Sequence, residues 1–318
     1  MKIESKFRIM RRLSVGLLLA HASATALHDA VERNNCTEVA ALLAASASVV
    51  ESLDENELTP LQLAAYLGHV EATATLVKWE ASIEKRSPHG MTALLWATSQ
   101  GHLNVVERLL QAGANHDVLD DGGRGPIHYA STRGHADILV ALLKAGAGVN
   151  AMTSRNVTAL QLAAEGGHAG AVRALIVAGA ALNSQADAHK LTAVHGAAYG
   201  GHLSVIKELT SAGASLTTRD ALQRTPLHLA SGTGHAAVAA ALLEAHQAAG
   251  APLATMIEMR DQRGRTPRRL AERGGHREIV RLLKQSGAEP TWSLPRLLMR
   301  VRRWLGSRLR RSAVRNSA

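Results

Sequence analysis

The sequence predicts an all-α solenoid, built from stacked helix–turn–helix units with hairpin loops between them. The first observation is a repeat of about 33 residues across most of the 318-residue chain. The second is a Gly-His pair that recurs at the same phase seven times, and the third is two apolar helical segments in each copy. A fixed period in this range indicates stacked supersecondary units rather than one globular core.

Each copy of the repeat begins with a short motif, which is most complete at residues 225–230 (Thr-Pro-Leu-His-Leu-Ala). Copies start at Thr25, Thr59, Thr92, Gly125, Thr158, Thr192, Thr225 and Thr266. Successive starts are 34, 33, 33, 33, 34, 33 and 41 residues apart. The last spacing indicates an insertion near residues 244–259, which predicts a longer helix end followed by a loop.

The copy that starts at Thr92 explains why each unit should form two helices. Thr92 is a good N-cap for the apolar run 93–97, because its hydroxyl can accept an orphan amide of the first turn. Gly101 then supplies the left-handed residue that ends this helix. A second helix is predicted over 103–111, where apolar residues recur at helical spacing, and Gly113 ends it. One such pair has too small an apolar face to be stable alone, so it must pack against the next pair.

These units resemble the ankyrin repeat over residues 25–290. The seventh copy matches the family pattern in phase at Asp220, Thr225, Pro226, Leu227, His228, Ala230, Gly234, His235, Val238, Leu242 and Leu243. We expect about eight repeats, near residues 25–58, 59–91, 92–124, 125–157, 158–191, 192–224, 225–265 and 266–290. An N-terminal segment (1–24) and a C-terminal tail (291–318) flank them. Two departures are Gly125 in place of the motif Thr and Cys36 in place of the first Gly-His histidine.

The resemblance implies a non-catalytic scaffold that binds a protein partner through its concave side. That side would consist of the hairpin tips and the exposed positions four and seven residues after each motif Thr. Five of the chain's eight aromatic residues lie in the repeats, and four of those five occupy these positions. The predicted partner-binding residues are Tyr66, Trp96, Tyr129, Tyr199, Leu63 and Leu229. Tyr and Trp dominate interface hot spots, although such residues also fill gaps between adjacent repeats.

Sixteen histidines raise the question of a metal site. Gly-His residues one period apart lie on neighbouring helices, about 8–10 Å apart, whereas zinc needs each nitrogen within about 2.1 Å. We therefore expect these imidazoles to bond to the main chain at the turn between helices. The chain also contains no known catalytic signature. The sequence predicts no enzyme, no metal and no cofactor, and Cys36 is expected to be a small buried residue.

The formal net charge of +10 is concentrated at the two ends of the chain. Residues 1–12 carry five Lys or Arg and one Glu, and residues 291–318 carry eight Arg and no acid. The remaining residues, 13–290, have a net charge of −2, whereas a nucleic-acid-binding solenoid should carry a basic stripe along its body. The pattern argues against nucleic acid as a partner, and we expect a monomer.

The tail is predicted to form a basic amphipathic helix with apolar residues at helical spacing. Its predicted contact residues are Trp292, Arg300, Arg302, Arg303, Trp304, Arg308, Arg310 and Arg311. Such a helix is compatible with contact with an anionic membrane surface, with docking into a partner's groove or with a targeting signal. It is also compatible with a cap on the end of the solenoid.

The N-terminal segment has the outline of a secretory signal, with a basic start, an apolar run over 13–20 and small residues at 22–24. The alternative is an extra helix packed on the first repeat. We expect an intracellular soluble protein, with export through this segment as the alternative. No apolar run in the sequence approaches the ~20 residues that a membrane-spanning helix needs.

Overall fold

The computed structural model describes residues 23–185 and 188–287. Within these ranges the chain forms helices joined by turns and loops and contains no strand. An isolated antiparallel bridge joins Met152 to Thr158. The described residues divide into two compact units between Ala181 and Leu182. The predicted all-α repeat fold is confirmed.

The helices of the first unit follow one another in pairs. They are α1 (residues 23–32) and α2 (Cys36–Ala45), α3 (Pro60–Leu67) and α4 (Val70–Lys78), α5 (Ala93–Gln100) and α6 (Leu103–Gln111), α7 (Pro126–Arg133) and α8 (Ala136–Lys144), and α9 (Ala159–Glu165) and α10 (Ala169–Val177). Short 3-10 helices occupy Ala47–Glu51 and Pro88–Gly90. Helix α3 packs on α5, α5 on α7 and α7 on α9, while α2, α4, α6, α8 and α10 form a second row.

The second unit repeats this arrangement. Its helices are α11 (Ala193–Gly200), α12 (Leu203–Ser211), α13 (Pro226–Thr233), α14 (Ala236–Ala248), α15 (Ala254–Ile257), α16 (Pro267–Arg273) and α17 (Arg277–Gly287). Helices α11, α13 and α16 pack in one row, and α12, α14 and α17 pack in the other.

The helix boundaries follow from capping groups in the motif. The Thr59 hydroxyl accepts the amide of Gln62 at 3.3 Å, and the Gln62 amide oxygen accepts the amide of Thr59 at 2.9 Å. This reciprocal pair satisfies two orphan donors at the start of α3. Gly101 ends α5 with a φ of +87°, and a Cβ there would lie 2.7 Å from the ring of His135. Glycine is therefore required at this turn both by conformation and by the packed imidazole.

In each unit, the second helices contribute leucines to the core, and we call this set of residues the leucine column. Its members are fully buried and recur with the period of the sequence: Leu76, Leu109, Leu142, Leu175, Leu209 and Leu242. Burying one leucine contributes about 1.5–3 kcal/mol, and no single helix pair could bury its leucine without a neighbour. The period of the sequence is therefore the period of the core.

The insertion predicted near 244–259 lengthens a helix. Helix α14 has 13 residues, whereas α12 has nine, as expected from the spacing. The following residues form the short helix α15, which the sequence did not predict. Helix α15 buries Met256 and Ile257, and His246 Nε2 lies 3.0 Å from Thr255 Oγ1. The insertion thus adds its own small apolar cluster.

The start of the first repeat differs from the prediction, and two segments with predictions lie outside the described residues. Thr25, the predicted start of the first repeat, lies inside helical residues 23–32 rather than at an N-cap. The apolar run of the signal-like segment and the whole tail 291–318 lie outside the described residues. In the described ranges, no helix combines the length and the apolar character needed to cross a bilayer.

Candidate functional site

Three predicted contact residues of the first unit lie on successive first helices: Tyr66 on α3, Trp96 on α5 and Tyr129 on α7. We call these three residues the aromatic face. Tyr66 is 40% exposed, and its ring meets that of Trp96 edge to face with centroids 5.4 Å apart. Trp96 is half-buried, and its indole nitrogen is covered without a hydrogen-bond acceptor in the described ranges. The structure therefore brings two of the three rings into direct contact.

Tyr129 has a different environment. Its hydroxyl donates a hydrogen bond to Asp120 Oδ2 at 2.7 Å and lies 3.5 Å from the sulfur of Met91. Burial, helped by the hydrogen bond and the negative charge of Asp120, raises the pKa of Tyr129 to about 12. The hydroxyl therefore bonds to the hairpin that precedes α7. The side chain is only half-buried, so part of it remains accessible to a partner.

The remaining predicted positions are partly exposed and partly buried. Tyr199 on α11 of the second unit is 62% exposed, which leaves most of its ring in solvent. Leu63 and Leu229 are only 7% and 6% exposed, so the expectation that both are surface residues is wrong. Both lie four residues after the motif Thr, where a leucine packs against neighbouring helices instead of facing solvent.

Sequence reasoning missed exposed apolar residues in the hairpins of the first unit. Leu119 is 44% exposed and Met152 is 51% exposed, and each immediately precedes the residue that begins a hairpin turn. Leu119 is next to Asp120, the partner of Tyr129. In two consecutive copies, an apolar residue stands one position before the Asp or Thr of the hairpin. Polar residues are typical of such loops, so this pattern could have indicated an exposed apolar side chain.

Space is limited at Gly125, where the motif Thr is absent. A Cβ at this position would lie 3.3 Å from Leu119 Cδ2 and 3.2 Å from the Val118 carbonyl oxygen. A side chain here would therefore require a small shift of the Leu119 side chain or of the Val118 carbonyl group. His128 Nδ1 still accepts the Gly125 amide at 3.0 Å, which preserves half of the capping pair.

The Gly-His imidazoles bond to main-chain carbonyls, as predicted. His102 Nε2 lies 3.0 Å from the carbonyl oxygen of Tyr66, which belongs to the preceding repeat. Equivalent contacts join His69 to Glu32, His168 to Thr132, His235 to Tyr199 and His276 to Gly232. Each ring therefore ties one repeat to the one before it.

The motif histidines cap helices and are buried. His228 Nδ1 accepts the Thr225 amide at 3.2 Å, and its Nε2 donates to the Arg265 carbonyl at 3.1 Å. His195 makes the same contacts with Thr192 and Arg224. Burial lowers the pKa of both histidines below the ordinary value. These are structural rings, held neutral at pH 7.

No group of three or more His, Cys, Asp or Glu side chains in the described ranges is close enough to hold a metal ion. Cys36, expected to be buried, is half-exposed at the first residue of α2. Its sulfur lies 3.7 Å from the carbonyl oxygen of Asn34. The position at the start of a helix explains the difference, because the chain there turns towards solvent.

The tail residues predicted to contact a membrane or partner lie outside the described residues. They are Trp292, Arg300, Arg302, Arg303, Trp304, Arg308, Arg310 and Arg311.

Comparison with known proteins supports the repeat architecture. A family model described as ankyrin repeats (3 copies) matches residues 80–153, 127–220 and 213–292, more than half of the chain. No curated protein matches the chain. Among solved structures, the chain is similar to the human ASB11 ankyrin repeat domain, with 28% sequence identity and a TM-score of 0.62. This similarity covers 69% of the present chain and 96% of the other chain.

Proposed function

The chain belongs to the ankyrin repeat family, whose repeats are generally protein–protein interaction modules, and on this premise we propose that it is a non-catalytic scaffold. Members of this family are typically not enzymes. The scaffold binds a protein partner through the concave side. The candidate contact residues are the aromatic face in the first unit and, separately, Tyr199 in the second unit. The identity of that partner would define the process in which the scaffold acts.

The observation that carries this proposal is the aromatic pair of exposed Tyr66 and half-buried Trp96. Monomeric proteins bury most of their aromatic surface, and Tyr and Trp are enriched among the residues that dominate binding energy. Tyr66 keeps 40% of its surface in solvent although its ring already contacts Trp96. A partner side chain packed on this pair would remove the remaining apolar surface from water.

The test compares partner capture by the wild type with capture by a Tyr66→Ala, Tyr199→Ala variant. These two residues are chosen because both are exposed, so their loss should leave the fold intact. The matched control is Val140→Ala, Val177→Ala, which removes exposed apolar groups from second helices. Specific proteins, identified by mass spectrometry, should be lost with the tyrosines and retained with the valine control. Loss with both variants, or with neither, would refute the use of the concave side.

A second candidate function is a membrane-peripheral adaptor anchored by the tail. The observation that favours it is the composition of residues 291–318, which carry eight Arg, no acid and two Trp. Arginines attract anionic lipid, and Trp residues partition into the interface between lipid and water. Vesicle co-sedimentation of the full chain, with tail arginines neutralised in a variant, tests this function independently of partner capture.

The cellular location depends on the fate of residues 1–24. We propose that the chain stays intracellular and retains this segment. Ser23 and Ala24 are helical, and the Ala24 carbonyl oxygen lies 2.9 Å from His28 Nδ1. Sequencing of the N-terminus of protein from its native source tests this proposal. A chain that begins near Thr25 would demonstrate processing and export instead.

A further inference from the structure

The charge of the described repeats is polarised along the sequence. Residues 260–287 carry nine Lys or Arg and three Asp or Glu, whereas residues 23–259 carry fourteen and twenty-one. The net charge of −2 over residues 13–290 therefore conceals an acidic body and a strongly basic stretch at 260–287, which comprises the last hairpin and the last repeat. This basic stretch leads directly into the tail with its eight arginines.

Two of the three acids in residues 260–287, Asp261 and Glu272, are paired within this stretch, and the third, Glu278, is half-buried on α17. Asp261 is buried and accepts a hydrogen bond from Arg265 at 2.7 Å. Glu272 lies 3.5 Å from both Arg268 and Arg269, so one carboxylate serves two guanidinium groups. These contacts leave one acid, Glu278, against the six other Lys or Arg residues of the stretch.

Four of these six cations lie on α16 and α17, are exposed and form no ion pair with the described residues. We call them the basic face: Arg273, Arg277, Arg281 and Lys284. Three of them follow one another along α17 at positions i, i+4 and i+7, which places them on one side of the helix. The opposite side of α17 buries Ile279 and Leu283 in the core.

The basic face adjoins an apolar surface that is partly exposed here. The equivalent surface is buried in the earlier repeats. Val280 is only half-buried, whereas the residues at the same position of the earlier second helices are fully buried: Val106, Leu139, Val172, Ile206 and Ala239. A shallow cavity of about 370 Å³ is lined by Ala271, Val280, Arg277 and Arg281, together with Glu272 and Gly275. Ala271 and Val280 therefore form an apolar patch beside the cations Arg277 and Arg281, and we call this patch the apolar floor.

We propose that the basic face binds an anionic lipid membrane surface, an inference that rests on the membrane-peripheral function proposed above. Each Lys or Arg held near an anionic surface strengthens binding by about a factor of five. The apolar floor provides a site for acyl or glycerol groups between the cations. Helix α17 fixes the orientation of these cations relative to one another.

Two other occupants fit this face less well. The tail is the segment nearest to it in sequence, but eight arginines placed against Arg277, Arg281 and Lys284 would repel one another. Nucleic acid would match the charge, but residues 260–287 contain no Phe, Trp or Tyr on which bases could stack, and such stacking is the usual partner of a basic groove. An anionic membrane satisfies both the cations and the apolar floor.

The test uses the full chain and sedimentation with phosphatidylcholine vesicles that contain about 30% phosphatidylserine, at low and high salt. The variant Arg277→Gln, Arg281→Gln, Lys284→Gln should bind these vesicles about 100-fold more weakly than wild type. The matched control Arg108→Gln, Lys144→Gln, Lys207→Gln removes the same charge from exposed positions on earlier second helices. It should bind within about threefold of wild type, because charges beyond a Debye length are screened.

A tail variant, Arg300→Gln, Arg302→Gln, Arg303→Gln, separates this inference from the function on which it rests. If the tail variant loses binding and the basic-face variant does not, the tail anchors the protein and the basic face is refuted. If wild type does not bind the vesicles, both proposals fall. Binding of wild type to an RNA or DNA duplex but not to vesicles would also overturn the inference, whereas selective loss in the basic-face variant supports it.

Discussion

The ring of Tyr66 meets the ring of Trp96 edge to face, with centroids 5.4 Å apart and planes at 90°. The two residues belong to neighbouring repeats, and the same pair of repeats is joined by the bond between the His102 imidazole and the Tyr66 carbonyl. The side chain and the main chain of Tyr66 therefore both contribute to the contact between repeats. Tyr66 therefore belongs both to the candidate binding surface and to the contact between repeats.

The Tyr66–Trp96 pair should show coupled stability. We expect Tyr66→Ala to lower the free energy of unfolding by about 1 kcal/mol and Trp96→Ala by about 2–3 kcal/mol, because Trp96 is more buried. An edge-to-face pair should give a coupling energy of about 1 kcal/mol in a double-mutant cycle measured by urea unfolding. If the effects of the two substitutions on the free energy of unfolding are strictly additive, the contact between the rings contributes nothing to stability.

The buried motif histidines should make the protein sensitive to mild acid. Their pKa is lowered in the folded state, so the unfolded chain binds protons first as the pH falls below about 6.5, and stability is lost from there downward. The loss is at most about 1.4 kcal/mol per histidine for each pH unit. Protonation of Nδ1 also removes the acceptor for the Thr192 and Thr225 amides.

The chain itself supplies the control for this prediction. Gln62 and Gln161 occupy the same motif position, and their side-chain oxygens accept the amides of Thr59 and Thr158 at 2.9 and 2.8 Å. The double variant His195→Gln, His228→Gln should retain stability at pH 7 and lose less of it by pH 5 than wild type. Denaturant unfolding at the two pH values measures this difference. An unchanged pH dependence would place the acid-sensitive groups elsewhere.

Tyr129 should make a matching contribution at alkaline pH. Burial, together with the hydrogen bond to Asp120, raises its pKa to about 12 in the folded protein, above the ordinary value of about 10. The folded state therefore retains a proton that the unfolded state loses, and stability falls as the pH rises from about 10 to 12. Partial exposure of Tyr129 reduces the expected effect to about 1 kcal/mol. Thermal melts of wild type and Tyr129→Phe over this range should differ in slope, and parallel curves would contradict the assignment.

The repeat fold was predictable because its determinants are local. Thr92 caps α5, Gly101 ends it, and the leucine column follows from spacing alone. The exposure of individual side chains was not predictable in the same way. Leu63 occupies the same motif position as Trp96, yet Leu63 is buried and Trp96 is half-buried. That difference depends on the size of the neighbouring side chains in the adjacent repeats, which periodicity does not encode.

The candidate site illustrates the same limit. The sequence singled out Tyr66 and Trp96 as candidate contact residues on successive first helices, at the seventh and fourth positions after the motif Thr. The contact between their rings came only from the structure. The sequence did not indicate that Tyr129 is bonded to Asp120 or that Leu119 is exposed beside it. Both features depend on the conformation of the hairpin between repeats. A loop of the same length and polarity has several conformations, so only the structure could identify them.

Asp261 lies in the hairpin before α16, where its carboxylate accepts hydrogen bonds from three donors. Burial, the largest single influence, would raise its pKa, but hydrogen bonds from the Arg265 side chain and from the amides of Arg265 and Arg263 lower it on balance. The Arg265 guanidinium lies 2.7 Å from Oδ2, and the two amides donate to Oδ1 at 2.8 and 2.9 Å. The ionised form is thus the form that the hairpin stabilises.

We expect Asp261→Asn to lower the free energy of unfolding by about 2 kcal/mol at pH 7, because an amide NH2 cannot accept the Arg265 hydrogen bond. The difference from wild type should shrink as the pH falls below about 4 and through the lowered pKa, because the wild-type carboxylate is then protonated. Asp220 makes the same contacts with Arg224 at 2.7 Å in the preceding hairpin. Asp220→Asn therefore tests the same hydrogen bonds at pH 7. For Asp261→Asn, a loss that persists undiminished in acid would show that shape rather than charge governs this hairpin.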